Sequence, residues 1–343
     1  MKTLNKSLMF TDIHFGKKNN SDQHNLHCIQ FIEFVCNHIK QNQDIDHVIF
    51  LGDWHENRSA INVSTLYYSY NGASLLNDLN IPIYFIIGNH DLYTKHSREV
   101  HSCHWFDELT NFIVIDHPTV VENIGNGALL SPFLFHYEYP TLNDYNVKNV
   151  YGHFEFSGFV VTGASTKFQG GPDHTDYSKF KRVFSGHFHK RQITDNVIYI
   201  GNTFPMDFSD ANDFDRGFAI HDHINDDVSF INWPDCPKYI STNLSTIIDN
   251  QIEIPDGANI KCIADITMDY SKMIEFKRTI MEVYNLADIA IEEPPTQFFA
   301  DGIEEIEDTK VISINDAIVD MLSKNIESNG IDNNQLIQIY IQL

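Results

Sequence analysis

The chain has 343 residues and a formal charge of −24, from 47 acidic against 23 basic side chains, with 18 histidines and five cysteines. That length supports a core of more than ~200 residues with smaller units beside it, which excludes a mini-protein. The cysteines, at 28, 36, 103, 236 and 262, form no Cys-x-x-Cys pair and are odd in number, which excludes a zinc ribbon and a complete disulfide framework.

The start, "MKTLNKSLMFTDIH", holds a three-residue apolar run before an aspartate, too short for a signal peptide. Nothing downstream reaches membrane-spanning length, so a soluble cytoplasmic protein without a membrane partner is expected; for a phage-encoded chain the cytoplasm would be the host's. The acidity opposes a polyanionic substrate, but its distribution matters more than its sum. From Asn285 onward two lysines and no arginine face twelve acidic residues. That end of the chain reads as a separate unit.

In chain order, five short apolar runs each stop at a polar cluster. "SLMF" leads into Thr11-Asp12-Ile13-His14, and "HVIFL" into Gly52-Asp53-Trp54-His55. "IPIYFII" leads into Gly88-Asn89-His90-Asp91, "KNVY" into Gly152-His153, and "KRVFS" into Gly186-His187-Phe188-His189. Leu26, Ile29, Ile32, Cys36 and Ile39 repeat at helical spacing between the first two runs, which predicts a crossover helix and α/β winding. In such sheets ligands bind at the carboxyl ends of the strands, where all five clusters fall.

Gly-His-x-His alone is more readily two ordinary histidines; five such clusters together are not an accident. Aspartate, histidine and one asparagine, without thiolates, suit a pair of manganese, iron or zinc ions more than a structural zinc. Two divalent ions sharing a carboxylate would form a hydrolytic centre.

The order Asp-x-His, Gly-Asp, Gly-Asn-His-Asp, Gly-His, Gly-His-x-His over residues 8 to 189 resembles the calcineurin-like metallophosphoesterases. The resemblance implies two packed mixed β-sheets flanked by helices. It also implies one ion on Asp12, His14, Asp53 and His189 and another on Asp53, Asn89, His153 and His187, most simply manganese, with magnesium as the other choice. His90 would act on the leaving oxygen, with Asp91 orienting its ring, as water attacks phosphorus in line. Gly186 is expected to permit a tight turn.

Serine/threonine phosphatases of this group carry Gly-Asp-x-x-Asp-Arg-Gly, whereas this chain reads Gly52-Asp53-Trp54-His55-Glu56-Asn57-Arg58. "YGHFEFSGF" and the run from Val183 to Asp222, with Tyr199-Ile200-Gly201 and Arg216-Gly217-Phe218, resemble the SbcD-like DNA repair nucleases, the T-even-type phage recombination nuclease subunits among them. This likeness spans residues 7 to 235. It implies an endo- or exonuclease of recombination and double-strand-break repair, acting on DNA as a homodimer within a heterotetramer with an SbcC-like coiled-coil ATPase. Glu56 stands where His or Asp is usual, and His55 reads as a solvated loop residue. Lys17, Lys18, Lys95, Arg98, Lys190 and Arg191 follow the motifs and are expected to rim the site as phosphate contacts.

Beyond the last motif, "NVIYI", "RGFAIHD" and "DVSFINW" read as strands completing the second sheet, and "WPDCPKY" as a boundary closing a nuclease domain over 1–236. Strand, amphipathic helix and strand over 237–293 predict a small α/β unit, in the place where the resembled nucleases carry a DNA-positioning capping domain. An acidic, proline-containing linker over 294–311 then leads to a helical tail over 312–343, with Ser313 as N-cap and Ile314, Ile318, Met321, Leu322 and Ile326 on one stripe. In the resembled family such a tail grips the ATPase. A small-nucleotide phosphodiesterase would need neither cap nor tail. A non-catalytic scaffold would lack a ligand, and none is missing.

Overall fold

The strand-length apolar runs are buried on both faces, the pattern of parallel strands covered front and back. In the computed structural model, which describes residues 2–161, 167–266 and 268–292, β1 (Lys6–Phe10) passes through a short turn, α1 (Lys17–Asn20), into α2 (Asp22–Gln41). Next come β2 (His47–Phe50), α3 (Val63–Asn77), β3 (Ile83–Ile86), a hairpin of β4 (Leu92–Thr94) and β5 (Ser97–His101), and β6 (Phe112–Ile115). The chain continues with β7 (Thr119–Val121), β8 (Ala128–Ser131), β9 (Asn149–Gly152), β10 (Arg182–Ser185), β11 (Gln192–Thr194) and β12 (Val197–Tyr199). Then follow β13 (Gly217–Asp222), β14 (Asp227–Asn232), β15 (Tyr239–Asn243), α4 (Leu244–Ile248), β16 (Asn259–Ile263), α5 (Tyr270–Val283) and β17 (Asp288–Glu292).

Two six-stranded mixed sheets result, ordered β14-β13-β1-β2-β3-β6 and β11-β12-β10-β9-β8-β7. Alternation along the strands builds the layers. Leu8, Phe10, Val48, Phe50, Ile83 and Phe85 face outward onto α2 and α3, where Phe31, Ile32 and Val35 meet them. Met9, Ile49, Tyr84 and Ile86 face inward and join Leu130, Tyr151, Phe184 and Ile198 of the other sheet. The far face of the second sheet is covered by an aromatic layer that includes Phe154, Phe156, Phe159, Tyr177 and Phe180.

Two expectations are corrected here. The stripe of α2 that meets the sheet is Cys28, Phe31, Ile32, Val35, Cys36 and Ile39, while Leu26 is exposed. The β13–β14 hairpin does not complete the second sheet. It pairs antiparallel with β1 and extends the first sheet, while β12 alone of the three predicted strands joins the second. The reason lies in edges: β1 would otherwise expose an unpaired row of backbone groups.

Residues 239–292 form a three-stranded parallel sheet, β15-β16-β17, with its own apolar cluster around Ile240, Ile260, Cys262 and Ile289. The strand–helix–strand pattern read from 260 onward is present, and β15 with α4 precedes it. Among the described residues no helix is long and apolar enough to cross a membrane. The acidic linker and the tail helices expected over 294–343 lie outside the described residues.

Candidate metal centre

Each motif follows a parallel strand at its carboxyl end: β1, β2 and β3 in one sheet, β9 and β10 in the other. Four of the predicted ligands leave their strands with left-handed backbones, Asp12 and His14 at φ 53°, Asp53 at 62° and His187 at 84°. Non-glycine residues rarely adopt this region, and such strain gathers at functional sites. Neighbouring backbones over-determine it: Asp12 N donates to Gly52 O at 2.9 Å, and His14 N to Asp53 O at 3.2 Å.

The glycines before the ligands supply space. A Cβ on Gly88 would lie 2.2 Å from Asp53 Oδ1, and one on Gly52 2.4 Å from His153 Nδ1. Gly186 is corrected in the same sense, because its backbone is not left-handed, and a Cβ there would meet Thr11 Oγ1 at 2.1 Å.

Three donor groups converge, their ligand atoms all within 4.8 Å of one another in each: Asp12, His14 and His189; Asp53, His153 and His187; and His14, Asp53 and His90. Asn89 Oδ1 joins the second, 2.9 Å from both His153 Nε2 and His187 Nδ1. Every ligand expected from the motifs is therefore in one pit, and Asp53 belongs to two groups. Asp53 also accepts His90 N at 2.8 Å, and Asp12 accepts Thr11 Oγ1 at 2.7 Å.

Whether the residues fit metal ions can be judged from their protons. His153 donates Nδ1–H to Leu51 O at 2.7 Å, so a neutral ring turns its Nε2 lone pair toward Asn89 Oδ1 and, at 3.4 Å, Asp53 Oδ2. His14 places Nδ1 2.8 Å from Glu56 Oε2, which leaves its Nε2 facing His189 Nε2 at 3.2 Å and the Asp12 and Asp53 carboxylates at 3.8 Å. Nitrogen and oxygen donors converging in this way suit a cation between them. The titration behaviour agrees: burial works against charge on His14, but the neighbouring Asp12 and Glu56 carboxylates outweigh it and raise its pKa to about 10. Burial likewise opposes charge on His153, and the Asp53 carboxylate raises it to about 9. Burial would raise Asp53, yet the surrounding histidines hold it well below the usual carboxylate range. His189, whose burial outweighs the pull of Asp12, falls to about 4 and stands neutral. The donor set fits divalent ions.

Several expected roles change. Asp91 does not orient His90. Its carboxylate accepts the backbone N–H groups of Asp53, Trp54, His55 and Gly88 at 2.9–3.1 Å and staples two motif loops together. Burial first, then the Asp53 charge, lifts its pKa to about 6. The His90 ring is set instead by Nδ1–H donating to Glu56 O at 2.8 Å. His55 is no solvated loop residue: it is buried, bonded to Ser102 and Ser69 at 2.8 Å, and its burial lowers its pKa to about 3.

The basic rim is thinner than expected. Arg98 is engaged with Glu138 at 2.7 Å and with the carbonyls of Asp116 and Phe133. Arg191 donates to Ile200 O and Asn232 Oδ1 and lies over the Phe230 ring. Lys18 is turned away onto Tyr239, its Nζ 4.5 Å from the ring centre. Lys17 stays beside the site, 3.8 Å from Glu56, and Lys95 lines a cavity that also contains Asn89 and His187. Lys190 lies with Arg191, Asp213 and Asp215 in a separate depression. Glu56 and Glu155, the latter 3.4 Å from His187 Nε2, are site residues that motif reading left without a role. No spacing rule links Glu56 to a ring 42 positions earlier; the sequence signal for Glu155 is its place two residues after His153.

Residues 6–191 match the calcineurin-like phosphoesterase family. The chain belongs to that family. Its members are metal-dependent phosphoesterases, so the chain is a hydrolase acting on phosphate esters. It is 30% identical over 237 residues to exonuclease subunit 1 of Enterobacteria phage T4, a match covering 66% of this chain and 67% of that protein. Among solved structures, a dimetal phosphatase from Danio rerio overlaps 64% of this chain and 92% of its own at 8% identity, with a TM-score of 0.40. A nuclease from Pseudomonas putida overlaps 55% and 64% at 17% identity, with a TM-score of 0.26.

Proposed function

We propose that the chain is a two-metal-ion DNA nuclease, the nuclease subunit of an SbcC/SbcD-type complex acting in recombination and double-strand-break repair. The observation that carries this reading is the 30% identity over 237 residues to a phage protein named as an exonuclease subunit. One ion would be held by Asp12, His14, Asp53 and His189, the other by Asp53, Asn89, His153 and His187, with manganese preferred over magnesium. Such ions supply a nucleophile at neutral pH and stabilise charge on phosphoryl oxygens.

The chain's own residues do the rest. Leu51 O orients His153, fixing which of its ring nitrogens faces the pit, and the Glu56 carboxylate lies beside His14 Nδ1 as its charge partner. His90, held by Glu56 O, presents its other nitrogen to the leaving oxygen and stabilises or protonates it. Lys17 and Lys95 offer phosphate contacts.

A homodimer is supported by α3, where Val63, Leu66, Tyr67 and Tyr70 form an exposed apolar stripe at helical spacing. The domain reading, with 1–236 as nuclease, 237–293 as DNA-positioning cap and 312–343 as the ATPase-binding segment, belongs to the same proposal. The cytoplasm is the proposed compartment.

The test is cleavage of end-labelled single- and double-stranded DNA with manganese or magnesium, with and without a coiled-coil ATPase partner, using Asp53→Ala as blank. Manganese-dependent cutting that vanishes in the blank supports the proposal. Intact DNA together with hydrolysis of bis-p-nitrophenyl phosphate would shift the substrate to small nucleotides.

A further inference from the structure

A cavity of about 550 Å³ opens beside the donor residues, with Asn89 and His187 in its lining. One wall is aromatic. Phe133 lies 6.1 Å from the His187 ring, Phe135 is 6.3 Å beyond it, and Tyr137 stacks on Phe135 at 6.0 Å and 22°. These alternate residues form a ladder of rings leading away from the donor groups. The outermost, Tyr137, is 75% exposed and so serves no core. Arg58, Lys95 and His96 also line the cavity.

The ladder is held rigidly. Arg98 lies with its guanidinium carbon 4.8 Å from the Phe135 ring centre, donates to Phe133 O at 3.0 Å, and is locked by Glu138. Glu138 in turn accepts Phe135 N at 2.8 Å. The arginine expected to touch phosphate therefore acts as a brace behind the aromatic wall.

We propose that this cavity binds the nucleoside attached to the scissile phosphate, its base stacked on the Phe135–Tyr137 pair and the adjoining phosphate met by Lys95 and Arg58. Flat apolar rings and cations lining one cavity, with phosphate-ester chemistry at the floor, match a nucleotide and not a phosphorylated serine or threonine, which has no ring to stack. A base lying on Tyr137 has left its own stack and pair, so the strand is unpaired at the cut. This inference rests on the nuclease reading and names what that site accepts.

The test compares two phosphodiesters with the same leaving group, thymidine 5′-(p-nitrophenyl phosphate) and methyl p-nitrophenyl phosphate, using the full chain with manganese. The wild type is expected to favour the thymidine ester. Its kcat/KM ratio over the methyl ester should fall about tenfold in Tyr137→Ala. Tyr137→Phe, which keeps the ring, should retain the ratio. Because Tyr137 is exposed, neither change threatens the fold. Hydrolysis of both esters with a ratio indifferent to the Tyr137→Ala change overturns the base site while leaving the nuclease reading intact. Hydrolysis of neither ester by the wild type removes both.

Discussion

His14 and Glu56 share a buried contact, Nδ1 to Oε2 at 2.8 Å, that ties a predicted ligand to a residue no motif marks as functional. A carboxylate at this distance favours a proton on Nδ1 and raises the basicity of the ring nitrogen facing the donor group. Glu56→Gln is expected to weaken manganese affinity about 10- to 100-fold, measured by calorimetric titration, with the fold unchanged by circular dichroism. Unchanged affinity would mean that Glu56 serves only Lys17 or the loop.

His90 tests the division between binding and chemistry. Its ring is fixed by Glu56 O, yet it lies close enough to His14 and Asp53 to form a donor group with them. His90→Ala is expected to keep two manganese ions per chain while kcat drops about 10²- to 10⁴-fold. Loss of one ion in the titration would reassign His90 as a ligand.

Protons and ions compete for the same nitrogens. With pKa values of about 10 for His14 and about 9 for His153, both rings hold protons at pH 7.5 in the metal-free protein. Manganese binding should therefore release protons, and apparent affinity should fall roughly tenfold per pH unit for each proton displaced as pH drops from about 8.5 to 6. Indicator-dye measurement in weak buffer checks this; ion binding without acidification would contradict it.

At the opposite end of β1, Ser7 Oγ bonds His47 Nε2 at 2.9 Å and His223 Nε2 at 2.6 Å, and His221 meets Tyr151 at 2.7 Å across the two sheets. Burial, with the neighbouring histidines, lowers His223 to about 3; burial lowers His47 and His221 against the pull of Asp46 and Asp226. A folded pKa below the ordinary 6.5 means that the unfolded chain binds the proton more tightly. The stability these rings contribute is complete above pH 6.5 and declines as pH falls toward the folded value. Between pH 7 and 5 the loss should be about 1 kcal/mol for His223, discounted for its partial exposure. Urea denaturation of His223→Gln against the parent should show a flatter pH profile; parallel profiles would refute the assignment.

The five strand-end clusters and the first crossover helix were legible because each depends on neighbours in sequence: apolar alternation for strands, 3.6-residue spacing for α2, and ligands placed just past a strand end. The wrong edge for β13–β14 shows the limit. A hairpin's alternation says that it pairs, but which sheet has a free edge depends on where β1 and β12 come to lie. Arg98 and Arg191 show the same limit for charge, since a basic residue near a motif is a phosphate contact only when no carboxylate, carbonyl or ring claims it first.

By itself the sequence determined the family, the α/β winding and the strand-end placement of the expected donors, because those are properties of residue kind and local spacing. The tertiary structure decided that Glu56 lies against His14 while Leu51 O sets the His153 tautomer, that Asp91 is a staple, and that Phe133, Phe135 and Tyr137 line one wall. These are contacts between residues tens of positions apart. Hydrogen bonds and ring stacking act over a few ångströms, so only folding, which brings separate strand ends into one pit, establishes them.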